Sequence, residues 1–104
     1  MKLLFTSKYF SSYQYDKGRC FYVDFYRKTV KLSFCQLLAF RQQVKKINPE
    51  NHFNGENKSG IEILMLCNRE HIFILDTLEI LDLQELVNGT FGMLELNSLL
   101  SAPA

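Results

Sequence analysis

The feature that most limits how this chain can fold is an internal repetition. Residues 20–44 read as strand, tight turn, strand, then a helix opened by Ser33, with Gln36 three residues on. Shifted by 43 positions, the pattern returns at residues 63–87, with Asp76 over Ser33 and Glu79 over Gln36. Each pair is a capping box, in which the first side chain takes a backbone N–H of the helix and the second reaches back. Leu32, Leu38 and Val44 fall on Leu75, Leu81 and Val87, so apolar positions recur in register. Two such units in 104 residues leave room for one domain. The expected fold is α+β, a mostly antiparallel sheet of about five strands with helices mainly on one face, built from two ββα repeats. Repeat one spans about 20–47, a linker about 48–60, repeat two about 61–88 and a C-terminal helix about 90–100, which is either a separate third helix or the end of one kinked helix running to about Leu100.

Alternation assigns the faces. Phe21, Val23 and Phe25 share one side of the first hairpin with Val30 and Leu32, while Tyr22, Asp24, Thr29 and Lys31 take the other. A further strand is expected within residues 9–15, which makes a three-stranded meander. In the first helix Phe34, Leu37, Phe40, Val44 and Ile47 form one apolar stripe, and Asn48-Pro49 ends it. The helix after Asp76 carries Leu78, Leu81, Leu83, Leu86 and Val87. The second hairpin is apolar on both sides. Transferring the first unit's facing sends Leu64, Leu66, Phe73 and Leu75 inward, and leaves Ile61, Ile63, Met65, Ile72 and Ile74 outward. The first unit presents polar and tyrosine side chains at the matching positions.

Charge is divided along the chain. Residues 1–48 hold ten Lys/Arg and two Asp/Glu, a balance of +8, and residues 49–104 hold two and nine, a balance of −7. Eleven of the fourteen aromatics lie in the first part, so the two units differ chemically although their pattern repeats. No apolar run is long enough to span a bilayer, and the Met1–Phe5 run ends too early for a signal peptide. Three cysteines, Cys20, Cys35 and Cys67, do not form a dense disulfide framework, and the chain reads as cytoplasmic.

Motifs for chemistry are sparse. Cys67 and His71 are four apart, but no CxxC or HxxxH pair completes a zinc set, so no metal and no cofactor is expected. Gly55 to Gly60 holds a Lys-Ser pair without the leading glycines, strand and helix of a phosphate loop. Glu79, Asp82 and Glu85 read as caps or as a solvated helix face, and Asp24 as a hydrogen-bond partner among tyrosines. Nothing here marks an enzyme.

The runs FYVDFYRKTVKLSFCQLLAFRQQV and ILDLQELVNGTFGMLELNSLL resemble small uncharacterised bacterial α+β domains of the Bacteroidetes type, over about two thirds of the chain. That resemblance implies a fold and a lineage. It carries over no functional residue.

Two roles are left. The first is a protein-interaction module that pairs with itself, or with another protein, through Ile61, Ile63, Met65, Ile72 and Ile74. The second is single-stranded nucleic-acid binding on a tyrosine and lysine face made by Tyr22, Tyr26, Arg27, Lys28 and Lys31. Against the second, the near-zero net charge and the acidic second part oppose an approaching phosphate backbone.

Overall fold

Four strands, a helix, two more strands and a long helix follow one another in a computed structural model that describes residues 1–15, 20–26, 28–48, 50, 60–67 and 70–101, with the α2 side chains through Ser98. The strands are β1 (Lys2–Thr6), β2 (Ser11–Gln14), β3 (Cys20–Asp24), β4 (Thr29–Ser33), β5 (Ile61–Leu66) and β6 (His71–Asp76); the helices are α1 (Phe34–Lys46) and α2 (Thr77–Ser101). The chain is α+β and its strand pairs are antiparallel. Arg27, the turn at Asp16 to Gly18 and the linker from Asn51 to Ser59 lie outside the described residues.

Strand–strand–helix occurs twice, at β3–β4–α1 and at β5–β6–α2. Both capping boxes form. Ser33 Oγ accepts from Gln36 N–H at 3.2 Å while Gln36 Oε1 accepts from Ser33 N–H at 2.8 Å. Asp76 Oδ1 accepts from Glu79 N–H at 2.8 Å, and Glu79 Oε1 accepts from Asp76 N–H at 3.1 Å. Of the recurrent apolar pairs, Leu32 with Leu75 and Val44 with Val87 are buried, whereas Leu38 is half-buried and Leu81 exposed.

The single sheet of about five strands is corrected to two sheets. One is a four-stranded meander in the order β1-β2-β3-β4, and the other is the β5-β6 hairpin. β1 is an added strand, paired with β2 through a shift between Leu3 and Phe5. The hairpin does not extend the meander, and its β5 edge is met by a side chain of α1. Gln43 of α1 donates from Nε2 to Met65 C=O at 2.7 Å and accepts Met65 N–H on Oε1 at 2.9 Å. Aromatic rings join the two sheets instead. Phe25 stacks on Phe73 with centroids 4.2 Å apart, and meets Phe10 and Phe40 edge-on.

Of the two readings of the C-terminal part, a single helix is the one found, and the separate third helix is corrected. α2 runs unbroken for 25 residues, so the segment about 90–100 continues it and Asn88-Gly89 does not end it. Gly89 is instead a point of close approach, because a Cβ there would fall under 3.0 Å from three ring carbons of Phe5. The buried stripe of α2 is Ile80, Leu83, Leu86 and Val87, whereas Leu78 and Leu81 are exposed. Leucine and isoleucine surround this helix, so its own pattern does not select a face. The sheets and α1 do. In α1, Leu37, Phe40 and Val44 are buried, while Phe34 is exposed beyond the stripe's end. Gln84 Nε2 donates to Ile47 C=O at 3.1 Å, and the Arg41 guanidinium sits 4.3 Å from the Phe91 ring centroid, which sets the two helices antiparallel.

Candidate interaction site

The β5–β6 hairpin carries the apolar face. Its register sets Ile63 against Ile74, Met65 against Ile72 and Ile61 against Asp76. Side chains directly opposite in a ladder share a face. These three rows therefore form one patch of five apolar side chains with a carboxylate at its corner. Leu64, Leu66 and Leu75 point the other way into the core, with half-buried Phe73 packed against it. All five patch residues are exposed, by 41 to 65 % of their surface. That is roughly 400–500 Å² of apolar area in one place, within the ~300–600 Å² of the largest patch on a typical monomer. α2 does not cross this face; Phe91 and Leu94 pack against the core instead.

The tyrosine face lies on the other sheet. Tyr13, Tyr22 and Lys31 stand side by side on β2, β3 and β4, with Leu3 of β1 next in the row. Tyr22 is half-buried, and Lys28 and Lys31 are exposed. Tyr26 sits apart in the β3–β4 turn with φ 75°, where Asp24 Oδ1 accepts its N–H at 3.0 Å. The structure thus brings Tyr22 and Lys31 together and removes Tyr26 from their row. Arg27 lies outside the described residues.

A cleft unforeseen from the sequence runs between the two sheets. Its volume is about 720 Å³, with Ile72 to Asp76 of β6 on one side and Tyr9, Phe10, Phe25 and Tyr26 on the other. Tyr9 is held by Asp82, a buried carboxylate of α2 that accepts Ser7 Oγ–H at 2.7 Å, Tyr9 N–H at 2.8 Å and Lys8 N–H at 3.0 Å. Asp82 is therefore the clamp on the β1–β2 turn and not part of a solvated helix face. Its spacing to Leu86, Gly89 and Thr90, all on the helix side that meets β1 and β2, is the signal that pointed inward. Ser12 and Thr90 continue that seam, with their hydroxyls 2.6 Å apart and Thr90 Oγ1 donating to Leu86 C=O at 2.7 Å.

No group of three or more metal-ligating side chains gathers among the described residues. The three cysteines are free. Burial and the nearby Glu70 carboxylate push the Cys67 thiol above its ordinary range. Among the described residues, no helix is long and apolar enough to cross a membrane. No family model, no curated protein and no solved structure matches this chain.

Proposed function

We propose that this chain is a cytoplasmic, non-enzymatic interaction module that pairs with a second copy of itself through the outer face of β5 and β6. The observation that carries this reading is the exposed patch of Ile61, Ile63, Met65, Ile72 and Ile74. Two copies packed face to face about a twofold would remove roughly 800–1,000 Å² of apolar surface, and a polar rim brings the total toward the ~1,200 Å² at which specific interfaces begin. Asp76 at the corner and Gln43 at the edge are suited to that rim. The free cysteines and their odd number support the compartment. The recurring capping boxes support a pseudo-twofold relation between the two ββα units, and the patterning of the first unit supports kinship with the bacterial α+β group it resembles.

Light scattering across the micromolar range tests the pairing. The expected mass rises toward twice the 12.2 kDa of the chain, and Ile63→Glu with Met65→Glu returns it to 12.2 kDa with the far-ultraviolet signal kept. A wild-type chain that stays at 12.2 kDa at high micromolar concentration refutes the dimer. One observation favours a second reading. The Tyr13–Tyr22–Lys31 row offers aromatic faces beside a cation, the elements of a single-strand platform. Binding of a labelled oligonucleotide at low salt, lost in Tyr22→Ala with Lys31→Ala, would establish it, and no binding would retire it.

A further inference from the structure

The strand β6 has one edge satisfied and one edge open, and the open edge lies in the cleft. Gln43 takes both backbone groups of Met65, so those groups point away from β6. In an antiparallel pair the direction alternates, which makes Met65–Ile72 and Ile63–Ile74 non-hydrogen-bonded positions. The N–H and C=O groups of Ile72 and Ile74 therefore point out along the far edge of β6. Asp76 N–H on that edge is taken by Glu79. Ile72 and Ile74 meet no partner strand among the described residues, because this sheet holds β5 and β6 alone.

Several features of the cleft suit a bound strand. Edge strands are ordinarily protected by lysine, proline or a bulge, and β6 has none of these between His71 and Asp76. The facing wall is aromatic. On it Tyr26 is 81 % exposed, in a left-handed conformation that costs a residue with a Cβ about 1–2 kcal/mol. Residues held in such sparsely populated backbone conformations cluster at functional sites, ligand clamps among them. The carboxylates of Asp76 and Glu79 are the only charges among the described lining residues, and both stand at the C-terminal end of β6.

We propose that this edge takes an extended peptide of a partner protein as an added antiparallel strand. The added strand runs opposite to β6, so its N-terminal end lies beside Asp76 and Glu79 and carries a lysine or arginine. Ile72 and Ile74 hold its backbone, and Tyr9 and Tyr26 flank its side chains. At ~3.4 Å per residue, β6 accommodates about four to six residues. A second copy of β6 fits less well. β6 itself holds no lysine or arginine, so a copy of it in any register brings no cation to Asp76 and Glu79. This site uses the edge of β6, not the face, and does not depend on the homodimer.

The test uses the full chain and a blocked, fluorescent hexapeptide, Lys-Val-Thr-Val-Thr-Val. Saturable binding is expected, with amide exchange at Ile72 and Ile74 slowed at least tenfold. A Glu-for-Lys peptide should bind more weakly, by a margin that shrinks as salt rises. Ile63→Glu, on the β5 face, should bind as well as wild type, which separates this site from the dimer. Ile74→Pro removes an outward N–H without touching a β5 bond, and should lose binding. A peptide N-methylated at alternate residues should fail on the unaltered chain, which tests the same bond without a folding risk. Equal binding by the N-methylated peptide, or no binding at millimolar concentration, overturns the proposal. Protection of Ile72 and Ile74 that grows with protein concentration alone overturns it in favour of a second copy.

Discussion

Replacing Asp82 by alanine tests how the cleft is held open. Its carboxylate accepts three hydrogen bonds from the β1–β2 turn, from Ser7 Oγ–H, Lys8 N–H and Tyr9 N–H. Hydrogen bonds to a charged group are each worth ~1.5–3 kcal/mol, so simple addition would give about 5–9 kcal/mol. That sum overshoots. The donors are part-buried and regain water, and the carboxylate no longer bears its own desolvation. The net loss for Asp82→Ala is then ~2–4 kcal/mol, a large share of the ~5–15 kcal/mol of a small domain. Asp82→Asn keeps one acceptor for Ser7 and Tyr9 but turns an NH₂ toward Lys8 N–H, so about half the loss is expected. With a urea m-value of ~2 kcal/mol per M, the middle of the range for small proteins, the midpoint of Asp82→Ala should fall by about 1–2 M. Urea unfolding followed by circular dichroism measures this. The Tyr9 ring signals should also shift in Asp82→Asn, because the turn that carries the ring is no longer clamped. If Asp82→Ala stays within ~0.5 kcal/mol of wild type, as an ordinary surface substitution does, the clamp is not what holds the turn.

Three further outcomes are expected. Gly89→Ala gains about 1 kcal/mol in helix propensity but drives a methyl into the Phe5 ring, where overpacking costs ~1–3 kcal/mol. Its melting temperature should drop, and the drop should shrink in a Phe5→Ala background that leaves no ring to meet the methyl; a rise in Gly89→Ala alone would refute the close approach. Gln43→Ala removes both bonds to Met65 and should speed exchange of the Met65 amide, with a stability loss of ~1–2 kcal/mol; unchanged protection would show that the edge is held otherwise. The raised Cys67 pKa means that the fold favours the neutral thiol. This contribution is full below the ordinary value of 9.0 and is lost as pH rises through the higher folded value. A thiol reagent at mildly alkaline pH should label exposed Cys35 before Cys67, and Glu70→Gln should quicken Cys67; equal rates in wild type would count against the shift.

Sequence alone determined the local grammar of this chain. Alternation from Cys20 to Ser33 named Phe21, Val23, Phe25, Val30 and Leu32 as core, and all five are buried. The cap at Ser33 marked the start of α1, because a cap and its partner lie within one turn and need no distant contact, whereas Asp76 shared its claim on the start of α2 with Asp82 and Glu85 until the structure chose Asp76. The facing of the second hairpin was legible too, since a ladder with a period of two leaves only two choices of face.

What lay beyond the reach of sequence was every feature made by residues far apart. The two sheets meet through Phe25 on Phe73 and not through a ladder, and Gln43 of α1 meets Met65 of β5; an isolated glutamine on a helix reads as solvated until a strand edge arrives beside it. Asp82 looked like an exposed helical acid until the β1–β2 turn, more than seventy residues earlier, brought three donors to it. The buried side of α2 was undecided for the opposite reason: apolar residues ring the helix, and only the sheets and α1 select Ile80 and Leu83 over Leu78 and Leu81. β1 was passed over because KLLFT does not alternate between apolar and polar, and it becomes a strand by pairing with β2. The cleft follows from all of these, since its two walls come from different sheets that tertiary packing alone sets side by side.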